Sequence, residues 1–443
     1  MLQNLTKAYP KFFEVSILSP DKSVYSELAL KVSKLAILRA RRGEKKMTKI
    51  KVLIGAGLLV ALAALQIGQS QLQEPAVAAN NDVMAPHFLV DPLWPKPLPN
   101  HWVQGNTIGV DVDERDHIFA VHRNTESQFM RIQEIGLYSG VSECCTPAPP
   151  ILEFDLEGNL INAWGGPVEG APYTWPESNH GIDVAPNGDI WIGGNGGPDS
   201  HVLVFTRDGE YVRTVGVPEA EMDSNSTTSY GRVAEIAIDA ANNEVYFADG
   251  YRNKRVAVVD LATGAFKRYW GAYGNRPDDD ADVTYTPGEP GPQQFRGPVH
   301  CAIPSNDGLV YVCDRGADRI QVFRTDGTYV REVIISPATL AQGSTWDIDF
   351  SPDEEQEFLY LADGQNFKIY IIDRESLEVL YTFGDGGRQP GLFFAPHSIA
   401  TDSQGNIYTT ETYEGKRIQK FLYQGIQPVT VRDRAPTWPA EEL

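Results

Sequence analysis

Residues 180–194, HGIDVAPNGDIWIGG, contain a short apolar alternation, a turn of Asn, Gly and Asp, and a second alternation that includes an aromatic residue. This order is typical of a β-hairpin. Five further copies of the pattern start at Gly109, Glu235, His300, Trp346 and His397. Most copies continue into a third strand and often a fourth. Four short strands, repeated six times about every 45 to 70 residues, predict an all-β fold, a six-bladed β-propeller.

One closed propeller accounts for most of the chain. Each blade packs only on its neighbours, so a single ring can use most of the 443 residues, and we expect one domain over residues 86–443. An open ring would expose sheet edges, which predicts that a terminal segment completes one blade. Residues 88–103 and the tail around residues 429–431 are both candidates, and the sequence does not choose between them.

The amino-terminal region differs from the repeats. Four lysines between residues 45 and 51 precede an apolar run over residues 52–67, which is short for a membrane span but suits a signal-peptide core. We therefore predict a signal peptide or membrane anchor over residues 47–79, and a spurious or disordered extension over residues 1–46. The propeller is then periplasmic or secreted, and it contacts a membrane only if the segment stays uncleaved.

The charge balance limits the class of partner. The chain has 59 acidic and 38 basic side chains, and its formal net charge is −21. Neutralising phosphates requires basic patches, which the repeats do not show. The sequence therefore predicts no nucleic-acid partner.

Three histidines share one repeat position. His180, His300 and His397 occupy it in the second, fourth and sixth copies, and the other three copies carry Ile108, Ala234 and Trp346 there. A consensus residue with a structural role would not skip alternate copies. Around a propeller axis the three imidazoles would converge, as a Zn²⁺ site with an open fourth position requires. We predict zinc, although imidazole also suits iron and copper.

A second repeated pattern suggests structural ion pairs. Asp249, Asp314 and Asp363 recur at one position and are followed by Arg255, Arg319 and Lys368. Since the pattern repeats in consecutive copies, we interpret these as pairs that stabilise the blades rather than as catalytic groups.

The four cysteines suit an oxidising compartment. Cys144 and Cys145 are adjacent in a long insertion of the first copy, where they form either a vicinal disulfide or two separate thiols. Cys301 and Cys313 lie on the first two strands of the fourth copy. The SNDG turn sets them about one residue out of register, so a disulfide between them needs a bulge.

From about residue 105 to residue 425 the chain resembles the NHL-repeat six-bladed propellers, and within them the peptidyl-α-hydroxyglycine α-amidating lyases. The resemblance rests on PESNHGIDVAPNGDIWI, VYFADGYRNKRV, GPVHCAIPSNDGLVYVCDRGADRIQVF and FFAPHSIATDSQGNIY. It implies that the three histidines bind a catalytic zinc and that Tyr251, in the DGY motif, is the general base. It also implies that Arg123, in AVHR, is a second catalytic residue.

The chain departs from that family at a structural calcium site. The family has a methionine two residues before the third histidine and an aspartate after it, where this chain has Ala395 and Ser398. That aspartate helps hold the calcium, so the resemblance leaves the calcium in doubt. Val110 and Ile182 remain as candidate carbonyl ligands.

The expected function is a zinc-dependent lyase that cleaves a carbinolamide C–N bond in a small or peptidyl substrate. One alternative is another metal-dependent hydrolase, such as a lactonase, on the same propeller. The other is a non-enzymatic NHL-repeat module that binds a protein partner.

Overall fold

The computed structural model describes residues 83–125 and 130–434. The predicted extension and signal segment, residues 1–46 and 47–79, lie outside the described residues. Strands dominate the described part of the chain, and short 3₁₀ helices occur at Ala240–Asn242, Ala272–Gly274 and Arg315–Ala317. The all-β prediction is confirmed.

Two strands precede the first blade in the chain: β1 (Met84–Asp91) and β2 (Trp102–Val103). Blade one contains β3 (Thr107–Val112), β4 (Ile118–His122), β6 (Ile151–Phe154) and β7 (Leu160–Trp164), and β5 (Thr146–Pro147) lies in its insertion, paired with β2. Blade two contains β8 (Asn179–Val184), β9 (Ile190–Gly194), β10 (His201–Phe205) and β11 (Tyr211–Gly216). Blade three contains β12 (Glu235–Asp239), β13 (Glu244–Asp249), β14 (Arg255–Asp260) and β15 (Phe266–Trp270).

The other three blades complete the ring. Blade four contains β16 (Val299–Pro304), β17 (Leu309–Asp314), β18 (Arg319–Arg324) and β19 (Tyr329–Ile334). Blade five contains β20 (Asp347–Phe350), β21 (Phe358–Asp363), β22 (Lys368–Asp373) and β23 (Val379–Phe383). Blade six contains β24 (Pro396–Thr401), β25 (Ile407–Glu411) and β26 (Arg417–Pro428). The first strands of successive blades are neighbours all the way round, so six blades close one propeller.

The amino-terminal segment closes the ring. Strand β1 pairs antiparallel with β26, with Leu89 opposite Leu422, and so becomes the outermost strand of blade six. The tail contributes elsewhere, because β27 (Asp433–Arg434) pairs in parallel with β23 as a fifth strand of blade five. Both candidate segments therefore cover sheet edges, and only the first joins the two ends of the ring.

Buried apolar clusters lie between neighbouring blades. Trp191 of blade two packs against Phe247 of blade three with ring centroids 6.3 Å apart, and equivalent clusters occupy the other five junctions. Burial of each large apolar side chain stabilises the fold by about 1.5–3 kcal/mol. Because the clusters are shared, the blades support one another and hold the first strands in fixed positions around the axis.

Two of the three predicted ion pairs form. Arg255 Nε lies 2.7 Å from Asp249 Oδ2, and Arg319 lies 2.9 Å from Asp314 Oδ2, with all four side chains buried. The third pair was predicted wrongly, because Lys368 Nζ bonds Asp433 at 2.6 Å and Asp363 is bonded instead by Asn366 and Tyr370. Tail strand β27 supplies Asp433, a partner outside the repeat.

We expect Asp249→Ala to lower the free energy of unfolding by about 3–5 kcal/mol, because it leaves a buried guanidinium without its carboxylate. Lys368→Ala is the control, since its partner Asp433 is exposed and such pairs contribute about 1 kcal/mol or less. Urea unfolding measures both. Equal losses in the two variants would contradict a structural role for the buried pair.

All four cysteines are in disulfides. Cys144 is bonded to Cys145, and Cys301 is bonded to Cys313. A register shift between Val299 and Cys301 removes the offset that the sequence predicts and sets the two cysteines directly opposite each other. His300 lies between Val299 and Cys301, at this register shift.

Candidate metal centre

Each of the three predicted ligands is the second residue of the first strand in its blade: His180 in β8, His300 in β16 and His397 in β24. The pairing register of each strand with its neighbour shifts at the histidine. Such an irregularity re-aims a side chain that regular pleating would place elsewhere. The three imidazoles therefore face the propeller axis.

The structure brings the three imidazoles together. Their ring centroids are 4.8 Å to 5.3 Å apart, and one ligand atom from each lies within 4.8 Å of the other two. All three side chains are at least 96% buried. This spacing fits one small cation among three nitrogens.

Backbone carbonyls fix how the rings are oriented. The Nδ1 atom of His180 lies 2.5 Å from Ala234 O, that of His300 lies 2.5 Å from Trp346 O, and that of His397 lies 2.7 Å from Ile108 O. A carbonyl only accepts, so each Nδ1 must carry the proton. Each Nε2 then keeps its lone pair for a ligand, the arrangement usual for metal-binding histidines. The other three blades carry Ile108, Ala234 and Trp346 at the histidine position. The backbone carbonyls of these residues thus fix the orientation of the histidines in the neighbouring blades.

Burial and charge keep the imidazoles neutral. Burial lowers the pKa of His180, His300 and His397 well below the usual value, and the positive charge of Arg315 lowers all three further. Neutral imidazole is the form that binds a metal. The donor set therefore fits the zinc that the sequence predicts.

Tyr251 lies against two of the imidazoles. It follows strand β13 of blade three, and its Oη is 3.0 Å from His180 Nε2 and 3.1 Å from His300 Nε2. The approach depends on Gly250, because a Cβ there would lie 2.1 Å from the backbone of Val299. A phenol hydroxyl has one proton and can donate to only one of the two nitrogens.

Arg123 lies at the end of β4 in blade one. Its side chain is 7% exposed, and it donates from Nε to Asn179 O at 3.3 Å and from Nη2 to Asn195 Oδ1 at 2.9 Å. Burial lowers its pKa, and the nearby Tyr251 and Tyr413 hydroxyls oppose that shift. The predicted second catalytic residue is therefore close enough to interact with Tyr251 electrostatically.

Arg315 is a residue that the sequence reasoning missed. Its Nη1 donates to Tyr251 Oη at 3.2 Å, and its guanidinium lies 4.5 Å from the Trp346 ring centroid. Nε is buried without a hydrogen-bond partner. The sequence does distinguish this position. The repeated aspartate is followed by glycine in blades three and five but by arginine in blade four.

The structural calcium site of the resembling family, which the sequence leaves in doubt, lacks its carboxylate ligand in this chain. Ser398 replaces the aspartate, its Oγ donates to Asp347 Oδ2 at 2.6 Å, and it accepts from the Val110 N–H at 3.4 Å. Ile182 lines the cavity beneath the imidazoles. Where the family has a carboxylate, this chain therefore has the neutral hydroxyl of Ser398. The calcium ligands of the family are not all present here.

The chain is similar in sequence to NHL-repeat proteins and to amidating lyases. It is 23% identical over 355 residues to mouse NHL repeat-containing protein 3, covering 76% of this chain and 84% of that protein. Its relatives are NHL-repeat proteins. A probable peptidyl-alpha-hydroxyglycine alpha-amidating lyase of Caenorhabditis elegans is 23% identical over 322 residues, covering 69% of this chain and 80% of that protein.

Other matches are partial or distant. Peptidyl-glycine alpha-amidating monooxygenase A of Xenopus laevis is 21% identical over 243 residues, and this chain spans 23% of its length. Among solved structures, a streptogramin B lyase aligns over 77% of this chain and 98% of its own with a TM-score of 0.44 and 14% identity. No family model matches the chain. The relatives support the NHL-type propeller and leave the activity to be tested.

Within residues 83–125 and 130–434, no helix has the length and apolar character that crossing a membrane requires.

Proposed function

We propose that the protein is a zinc-dependent lyase that cleaves the carbinolamide C–N bond of a small or peptidyl α-hydroxyglycine. One observation carries the proposal: the Tyr251 hydroxyl lies within 3.1 Å of the Nε2 atoms of two of the three converging imidazoles. Relatives named as amidating lyases support it. The imidazoles of His180, His300 and His397 would hold the zinc, which when bound supplies a Lewis acid beside the substrate oxygen.

Tyr251 is the base in this proposal. Its phenolate oxygen takes the proton of the carbinol hydroxyl, the C–O bond becomes a carbonyl, and the C–N bond breaks. The amide nitrogen then receives that proton back from the Tyr251 phenol, so the products are a primary amide and glyoxylate and the base is regenerated. An ordinary phenol is a weak base at neutral pH. In the structure Arg315 Nη1 donates a hydrogen bond to Tyr251 Oη, and Arg123 lies close enough to interact with the same hydroxyl.

The two arginines also suit the substrate's carboxylate. Arg315 has a buried Nε without a partner, and a guanidinium binds a carboxylate with two parallel hydrogen bonds. Arg123 lies in blade one and Arg315 in blade four, and both charges act on the imidazoles. We expect them to orient the substrate with its hydroxyl towards Tyr251.

The test is glyoxylate release from N-acyl-α-hydroxyglycines by the purified, zinc-loaded chain. We expect turnover that a zinc chelator abolishes and that added zinc restores. Lactone hydrolysis without glyoxylate release would favour the hydrolase alternative. Absence of both activities in protein that holds zinc would contradict the lyase and favour an interaction module.

The proposal includes a periplasmic or extracellular location. Both disulfides form in the structure, and disulfides persist in oxidising compartments. Substrate binding needs no nucleic acid, and a protein partner on the propeller faces stays a prediction. Cell fractionation under thiol-blocking conditions tests the location, since cytoplasmic protein with four free thiols would contradict it.

A further inference from the structure

Two side chains near the metal centre hydrogen-bond to each other across a junction between blades. Gln342 lies in the loop between β19 and β20, and Tyr413 lies in the turn between β25 and β26. Gln342 Nε2 is 2.8 Å from Tyr413 Oη, and Gln342 Oε1 is 3.0 Å from the same oxygen. The pair joins the loop that leads into blade five to blade six, and the chemistry described above uses neither residue.

The side-chain amide of Gln342 has a defined orientation. Its Oε1 accepts from Arg315 Nη2 at 3.4 Å, and a guanidinium only donates, so the amide oxygen must face Arg315. One N–H of Nε2 then donates to Tyr413 Oη. An amide nitrogen carries two N–H groups, and the second has no hydrogen-bond partner among the described residues. Because the Gln342 side chain is half-buried, this donor is accessible to a ligand.

The backbone places Gln342 next to the site. The following residue, Gly343, packs against Arg315, since a Cβ at Gly343 would lie 1.6 Å from the Arg315 carbonyl oxygen. The Gly343 carbonyl accepts from Trp346 Nε1 at 2.7 Å, and the Trp346 carbonyl accepts from the ring of His300. The position of Gln342 is therefore tied to the ring of one proposed zinc ligand.

Tyr413 is held from the other side. Its backbone has a φ of 51°, in the left-handed region that is costly for a residue other than glycine. Two ion pairs join its turn to the insertion of blade one: Glu414 with Arg131 at 3.2 Å, and Lys416 with Glu134 at 2.6 Å. These contacts keep the tyrosine hydroxyl where it orients the neighbouring amide.

Gln342 and Tyr413 both contact or approach residues of the proposed site. Gln342 bonds Arg315, whose Nη1 bonds Tyr251 Oη at 3.2 Å. The Tyr413 hydroxyl interacts electrostatically with Arg123. The second N–H of Gln342 is therefore a donor close to the groups that would hold the carboxylate and the hydroxyl of a substrate, and it is available for a third group.

We propose that Gln342 Nε2 binds the acyl carbonyl oxygen of the substrate and that Tyr413 positions the amide for this bond. The ligand class is then an N-acylated glycine-type carboxylate rather than a free amine, an assignment that rests on the proposed function. When the C–N bond breaks, its electron pair moves to the amide nitrogen and is shared with the acyl oxygen until the Tyr251 phenol protonates the nitrogen. A hydrogen bond to that oxygen stabilises the developing charge.

The test is titration of the purified, zinc-loaded chain with N-acetylglycine and with pentanoate, followed by ligand-observed NMR. Both ligands have one carboxylate and a similar length, and only N-acetylglycine has an acyl carbonyl. Neither has the carbinol hydroxyl, so binding is measured without turnover. We expect the wild type to bind N-acetylglycine, and wild-type protein that binds neither ligand would overturn the proposal.

Gln342→Met is the decisive variant, because methionine keeps the unbranched length of glutamine and has no donor. We expect the ratio of N-acetylglycine affinity to pentanoate affinity to fall about 3–10-fold, the usual contribution of one hydrogen bond. The kcat for glyoxylate release from an N-acyl-α-hydroxyglycine should fall at least about tenfold, since the donor acts on developing charge. An unchanged affinity ratio in Gln342→Met would overturn the proposal.

Tyr413→Phe tests the positioning role. It removes the hydroxyl that orients the amide and keeps the ring, so we expect a smaller fall in the same affinity ratio. A merely structural tyrosine would lower Tm and leave the ratio unchanged. Gln404→Met is the matched control, since Gln404 lies in the turn between β24 and β25, at the opposite end of the first strand from His397. It should keep both the ratio and kcat, and an equal fall in this control would contradict a specific site at Gln342.

Binding and turnover separate this subsite from the lyase reaction. A preference for N-acetylglycine that depends on Gln342, in wild-type protein that releases no glyoxylate, would contradict the lyase and support the acyl subsite. Glyoxylate release together with an unchanged affinity ratio in Gln342→Met would support the lyase and overturn the acyl subsite.

Discussion

His300→Ala is expected to lower zinc affinity by more than about 100-fold while the propeller stays folded. Loss of even an outer-shell partner typically costs 10–100-fold in metal affinity, and this variant removes one of three imidazole ligands. The hydrogen bond from His300 Nδ1 to Trp346 O also disappears, so a small loss of stability accompanies the loss of zinc. Zinc content after dialysis and competitive titration measure the effect.

The matched control is His201→Ala. His201 lies on β10 of blade two and is also buried, but its Nε2 bonds Thr174 O in the segment before β8. Its side chain is not among the converging imidazoles. We expect this variant to keep full zinc content. If both variants retained zinc equally, the metal would have to lie elsewhere in the chain.

Tyr251→Phe is expected to lower kcat for glyoxylate release by about 10²–10⁴-fold, the usual contribution of a positioned acid or base. Zinc content should not change, because the change removes only the hydroxyl that contacts His180 and His300. KM should change little, since the arginines, and not Tyr251, orient the carboxylate. Steady-state kinetics on the zinc-loaded variant separate the two parameters.

Tyr269→Phe serves as the control for this prediction. Tyr269 lies on β15 of the same blade, and its hydroxyl bonds Asn225 at 3.1 Å. It should keep kcat within about threefold of the wild type. A Tyr251→Phe variant with nearly full turnover would exclude the tyrosine as base and would favour a hydrolase that uses a metal-activated water.

The sequence predicted most of the fold because the hairpin pattern repeats. The alternation around each turn specifies strands, and the count of copies specifies the blades. The same regularity identified His180, His300 and His397, since a departure at alternate copies is visible only against a repeat. Positions within the repeat were therefore the reliable part of the prediction.

Features outside the repeat were harder to predict. The closing strand Met84–Asp91 and the tail strand that bonds Lys368 come from terminal segments with no counterpart in other copies. Arg315 was missed because it lies in the short 3₁₀ helix between two strands, where its contact with Tyr251 depends on how two blades approach each other. The bond between Gln342 and Tyr413 likewise depends on a junction between blades that the pattern of one strand does not specify.

The central claim is that three imidazoles from alternate blades bind one zinc. Metal analysis together with zinc-edge X-ray absorption of the purified chain tests it most directly. We predict one zinc per chain with a shell of three imidazole nitrogens at about 2.0–2.1 Å. Protein that carries no stoichiometric metal after metal-replete purification, or zinc with a sulfur or mainly carboxylate shell, would contradict the claim.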